Sequence, residues 1–132
     1  MTTNQNAMAL VGRILLAMMF LLSGISKVTG FEGTVGYISS VGLPLPSLLA
    51  VGAMVLEIAA GIALIIGFKT RWAALALALF TIAAAVLFHN YWAMPASEQM
   101  MQQIIFMKNI AVTGGLLMLA IAGPGAWSVD RR

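Results

Sequence analysis

Arg13, Lys27, Glu57 and Lys108 lie in stretches of sequence that are otherwise almost wholly apolar. An ionisable group in hydrocarbon is expensive, and it is kept either as internal glue or as part of a polar site. Glu57 is the only deep carboxylate, yet Arg13 and Lys108 both compete for it. A buried lysine with no acid nearby on its own helix must find a carboxylate, lose its proton or hold an anionic group. His89 and Asn109 add groups that exchange a proton or form hydrogen bonds. This inventory suits a polar or anionic head placed beside an apolar chain, or proton exchange at that head. A single histidine does not make a metal cage, and no metal site is expected. The absence of cysteine excludes disulfides, thiol redox chemistry and cysteine-ligated clusters within this sequence.

Composition states the solvent. Of 132 residues, 61% are hydrophobic and 8% charged, about one third of the charged share of a soluble domain. The net charge of +3 is scattered at segment ends and forms no nucleic-acid patch. One compact membrane domain over residues 1–132 is the simplest organisation. Four apolar segments, about 7–27, 45–67, 72–89 and 103–122, each approach the ~17–25 residues needed to cross the hydrocarbon core. Backbone polar groups there must satisfy one another, so each segment is expected to be a helix. The first lacks a preceding basic region and a small-residue cleavage site, so it reads as a span rather than a signal peptide. The fold class expected is an all-α bundle of four transmembrane helices.

Lys69, Arg71, Arg131 and Arg132 place the second turn and the C-terminus on the cytoplasmic side, with the N-terminus beside them. Trp72 and Trp127 then fall near the inner boundary, and Tyr91 and Trp92 near the outer one. The first outer loop, 28–46, mixes Phe31, Val35, Tyr37 and Ile38 with Glu32, Ser39 and Ser40. It reads as a short amphipathic segment on the outer face, ended by Gly42-Leu43-Pro44. The stretch 90–103 reads as the second outer loop.

On the first helix Arg13, Ala17, Phe20, Gly24 and Lys27 follow a 4-3-4-3 spacing. Both cations therefore share a face, about 21 Å apart. Glu57 shares a face with Ala53 and Gly61, and Lys108 with Ala111 and Gly115. Small residues on charged faces suggest that those faces turn inward. Depth along the helices favours an Arg13–Glu57 ion pair. The expected polar site has Glu57 near its floor, Lys108 in its wall with Asn109 beside it, and Lys27 and His89 at its mouth. Each residue also has a plainer reading: Arg13–Glu57 as structural glue, Lys27 as a snorkelling anchor, and His89 as a helix-end residue.

The same residues carry a family resemblance. Gly12-Arg13-Ile14-Leu15-Leu16 with Phe20, Ser23-Gly24 and Lys27 resembles the opening of the DoxX family of small four-helix membrane proteins. Leu56-Glu57 with Gly61, Gly67-Phe68-Lys69-Thr70-Arg71 and Phe88-His89 are similar to it as well. So are Phe106-Met107-Lys108-Asn109-Ile110, Gly114-Gly115-Leu116-Leu117, Gly123-Pro124-Gly125 and Ser128-Val129-Asp130-Arg131. The resemblance implies an integral protein of the bacterial cytoplasmic membrane. It also implies an association with membrane oxidoreductases, because the family takes its name from a subunit of an archaeal thiosulfate:quinone oxidoreductase. A fold is a weak guide to reaction. Three functions remain open. The first is a redox-associated subunit, rather than a self-sufficient enzyme, that binds a quinone or a membrane lipid. The second is a carrier for a hydrophobic or anionic solute. The third is a non-catalytic scaffold that docks or stabilises another membrane protein. The partners expected are membrane lipid, a quinone, and an oxidoreductase subunit or further copies of the same chain.

Overall fold

The computed structural model describes residues 2–131. Its elements are helices α1 (Thr3–Thr29), α2 (Phe31–Ser40), α3 (Pro46–Ile66), α4 (Thr70–Phe88) and α5 (Ala96–Ala122), with a 3-10 turn at Tyr91–Ala93 between the last two. The protein is an all-α membrane protein: α1, α3, α4 together with the turn that follows it, and α5 are long and apolar enough to cross a bilayer. The chain passes up α1, down α3, up α4 and down α5, so both termini lie at one end, here the terminal end. The opposite end, which carries α2 and the 3-10 turn, is the distal end. Arg132 lies outside the described residues.

Two helices are longer than the hydropathy pattern suggests. Helix α1 starts at Thr3 because Thr2 and Gln5 form a reciprocal capping box. Helix α5 starts at Ala96, behind Pro95, with Glu98 in its first turn. The stretch 96–103, expected as loop, is therefore helical. Its Ser, Glu and Gln residues are polar but satisfy helix geometry once the backbone is nucleated by the span that follows.

The spans are apolar outside and small or polar inside. On α1, Met8, Val11, Leu15, Met18, Leu22 and Ile25 are exposed, whereas Arg13, Ala17, Phe20 and Gly24 are buried. Burial in small residues lets backbones approach, and van der Waals packing rather than hydrophobicity drives association in lipid. Gly24 is such a point: an added Cβ would lie 2.6 Å from Ile58 Cγ1 and 3.3 Å from Glu57 Cβ. Helix α1 packs along α3 and α4 along α5, with α3 against α4 joining the pairs, and α1 barely touches α5. The core runs through Ala17, Phe20, Ala60, Leu64, Ala74, Leu77 and Leu116.

The terminal end is closed by hydrogen bonds that leave few helix-end groups unsatisfied. The last carbonyls of α3 have no partner within their own helix. Ala63 O accepts from Gly67 N and Phe68 N. Leu64 O and Ile65 O accept from Arg13 Nη1 at 3.0 and 2.7 Å. Ile66 O accepts from Val129 N at 2.9 Å. The Arg13 guanidinium also donates to Trp127 O, and Asn6 Oδ1 accepts from Ala126 N at 3.1 Å. Asp130 caps α4, its two carboxylate oxygens accepting from Lys69 N and Thr70 N, both at 2.9 Å. Arg71 Nη1 donates to Ala120 O and Ile121 O at the end of α5. Gly67 sits at φ 71° under this tail, where an added Cβ would lie 2.2 Å from Ser128 Cβ.

Removing the α4 cap should be measurable. Asp130→Ala leaves two amide donors of α4 to find water, and a lost cap costs about 1 kcal/mol. The expected result is that loss in a detergent unfolding titration, with Asp130→Asn intermediate because its amide offers one oxygen. Equal stability of all three proteins would show that the cap contributes nothing.

Candidate functional site

A cavity of about 790 Å³ opens in the distal half of the bundle, where α1 and α5 diverge. It exists because α1 is short on that side. Gly24 is level with Glu57, and from there α1 runs on for about 8 Å while α3 runs on for about 17 Å. Helix α2 fills the difference, packed on α3 and α1 with Ile38 buried. Residues 31–40 are thus a helix that roofs the cavity. Tyr37 fastens it to α4, stacking on Phe88 with ring centroids 5.3 Å apart and donating to Phe88 O at 3.3 Å.

The cavity brings together Lys27, Glu57, His89, Lys108 and Asn109. Glu57 comes from the middle of α3 and is 3% exposed. Its Oε1 lies 2.6 Å from Lys27 Nζ, and Lys27 also donates to Ser23 Oγ at 2.7 Å. The partner of Glu57 is therefore Lys27, and the expected Arg13–Glu57 pair does not form. The reason is an alternative partner for arginine. The negative end of the α3 dipole presents carbonyls at the terminal end, and a planar fork of donors satisfies several of them at once. A lysine one helical turn beyond Gly24 reaches Glu57 instead. Arg13 lines no part of the cavity, and its plain reading as internal glue is the one its contacts support.

Lys108 is in the wall, but not on the face expected for it. The buried stripe of α5 is Asn109, Thr113, Leu116 and Ala120, one residue round from Lys108, Ala111 and Gly115. That stripe packs because Asn109, Thr113 and Leu116 keep the 4-3 spacing, with Thr113 Oγ1 donating back to Asn109 O at 2.8 Å. Lys108 is left exposed to the cavity and forms no hydrogen bond or ion pair among the described residues. Counted from the terminal ends of their helices, Lys108 lies about 21 Å up and Glu57 about 14 Å up. The Lys108 backbone is thus within the apolar span, and no counter-charge contacts its exposed side chain among the described residues.

His89, the residue that closes α4, holds its Nδ1 2.8 Å from Gln102 Oε1. Gln102 sits on the helical extension of α5. Ser23, Tyr37 and Gln102 complete the site's hydrogen bonds, and residue type does not single them out. Only Ser23 left a sequence signal, its spacing of four from Lys27 on one helix face; Tyr37 and Gln102 become partners through the packing of α2 and the extension of α5. The remaining wall is apolar, including Phe20, Leu56, Phe80 and Leu87. The arrangement is a neutral ion pair, one uncompensated cation and hydrogen-bonding groups at one end of an apolar space. It can hold a polar head while an aliphatic or isoprenoid chain lies against the walls.

The family model described as DoxX matches residues 8–90. The chain is similar to "Inner membrane protein YphA" of Escherichia coli, 42% identical over 93% of this chain and 88% of that protein. It is similar to "Inner membrane protein YqjF" of the same organism, 43% identical over 92% of this chain and 88% of that protein. A "Surfeit locus protein 4 homolog" of Drosophila melanogaster is 34% identical over 96% of this chain but 41% of its own length. No solved structure matches.

Proposed function

Because the chain belongs to the DoxX family, we propose that it is an inner-membrane protein that binds one amphiphile, a quinone or a lipid, head-first in the distal cavity. Both termini face the cytoplasm in this reading, which Lys69 and Arg71 at the terminal end support. The observation that carries the binding role is Lys108, which lines a largely apolar cavity and pairs with no carboxylate among the described residues. Intramembrane ionisable residues mark sites when no structural partner explains them. A quinone carbonyl would accept from Lys108 or the Asn109 amide, and the Lys27–Glu57 pair would manage protons at the ring. The protein would then act as a redox-associated subunit, its electrons carried by the bound molecule and by a partner.

Native mass spectrometry of the protein extracted in mild detergent tests this. The expected spectrum shows one quinone or lipid per chain, resistant to the collision energy that strips bulk detergent. A bare protein under those conditions would overturn the binding role and favour a scaffold.

A further inference from the structure

Resting on the amphiphile reading above, we propose that the ligand head is a monoanion, the phosphodiester of an acidic phospholipid, paired with Lys108. Charge on the page selects it. Lys27 and Glu57 neutralise each other at 2.6 Å, and Lys108 then leaves the cavity with one positive charge in excess. A neutral ring or a zwitterion that spends its own charges internally would leave that excess uncompensated beside the apolar cavity wall. A single anion removes it. Phosphate oxygens accept charge-assisted hydrogen bonds from an ammonium and from an amide. Asn109, adjacent in sequence and lining the same cavity, supplies the amide.

The acyl chains have a place as well. The cavity is bounded by Phe20, Leu56, Phe80 and Leu87, and α1 and α5 scarcely touch, so the space is not sealed between those two spans. The Lys108 level, about one quarter of the way down a span that starts near residue 103, is deeper than a headgroup normally sits. A lipid held there is drawn inward by the ammonium and roofed by α2. The bound lipid is accordingly a fixed component of the site, distinct from the annular layer. Lys69 and Arg71 lie at the terminal end and offer only surface attraction to acidic headgroups.

Purified protein is offered an equimolar mixture of phosphatidylglycerol, phosphatidylcholine and ubiquinone in detergent, and the retained molecules are counted by native mass spectrometry. The expected result is one phosphatidylglycerol per chain. Lys108→Met should lower its retention about tenfold, the loss of one charge-assisted contact. Lys108→Arg should keep it, and Lys69→Met should not change it. Lys108→Met should fold normally, since the side chain bonds to nothing among the described residues; an unchanged thermal midpoint checks this. Phosphatidylglycerol retained equally by Lys108→Met overturns the assignment. So does capture of ubiquinone or phosphatidylcholine in its place, which leaves the amphiphile reading standing. Retention of no molecule overturns both. Inorganic phosphate that competes as strongly as the lipid would overturn the lipid source, because the chains would then contribute nothing. A copurifying protein lost in Lys108→Met, with no lipid lost, would show that the counter-charge is a partner's carboxylate.

Discussion

Arg13→Met is expected to destabilise the protein by about 3 kcal/mol, with roughly 1 kcal/mol or more for each backbone carbonyl it orphans. Three carbonyls depend on that guanidinium: Leu64 O, Ile65 O and Trp127 O. The side chain is 1% exposed, so no water replaces it. Methionine fills the volume and is at home in lipid, which isolates the hydrogen-bonding role from packing. Arg13→Lys should recover only part of the loss, because an ammonium lacks the planar fork that reaches both α3 and the tail. The check is an SDS unfolding titration in mixed micelles, followed by tryptophan fluorescence. A midpoint for Arg13→Met that matches the wild type would show that the α3 carbonyls find other partners. The tail should report the same event. Once Arg13 is gone, Trp127 O loses its donor, and proteolysis after residue 122 should accelerate.

The second large effect is at the ion pair. Glu57→Gln leaves Lys27 with only Ser23 as an acceptor and adds a second uncompensated cation to the cavity. Breaking a fully buried pair costs about 3–5 kcal/mol, but the Lys27 side chain is 23% exposed, so about 2 kcal/mol is expected after screening. Lys27→Met alone strands the carboxylate and should cost a similar amount. The double variant Lys27→Met/Glu57→Gln should be more stable than the sum of the singles, with a coupling of about 1–2 kcal/mol. Strict additivity would mean that the two charges do not stabilise each other. The pair should also affect the ligand. An extra cation near Lys108 is expected to raise retention of an acidic lipid while lowering that of a neutral quinone, so the direction of change in Glu57→Gln separates the two ligands.

Much of this architecture was legible in the residues. Composition and the lengths of the apolar runs required helices in lipid, because no other backbone arrangement satisfies itself there. The 4-3 spacing of Arg13, Ala17, Phe20 and Gly24 marked the inward face of α1, and those residues are buried. Residues 28–46 read as a short amphipathic segment, and the structure makes part of it a helix, α2 over Phe31–Ser40. The boundaries of α1 and α5 were less legible, since their ends are polar and hydropathy does not register a helix that continues into water.

The candidate site divides along a physical line. Residue type alone determined which groups had to be accounted for: Arg13, Lys27, Glu57, His89, Lys108 and Asn109 are conspicuous because hydrocarbon penalises them. Which of them meet was decided by the tertiary structure. Arg13 and Lys27 lie on one face of one helix and both reach toward α3, so periodicity cannot choose between them as partners of Glu57. The choice depends on the vertical offset of α1 against α3, fixed where Gly24 admits Ile58, and on the fold of the C-terminal tail. That tail, with the end of α3, presents carbonyls that only arginine can fork. Lys108 shows the same limit from the other side. Its depth in α5 could be counted from the sequence, but its isolation came from the rotation of α5, which buries Asn109 and leaves Lys108 exposed along the cavity. Rotation and offset are properties of packed pairs of helices, and a single helix does not contain them.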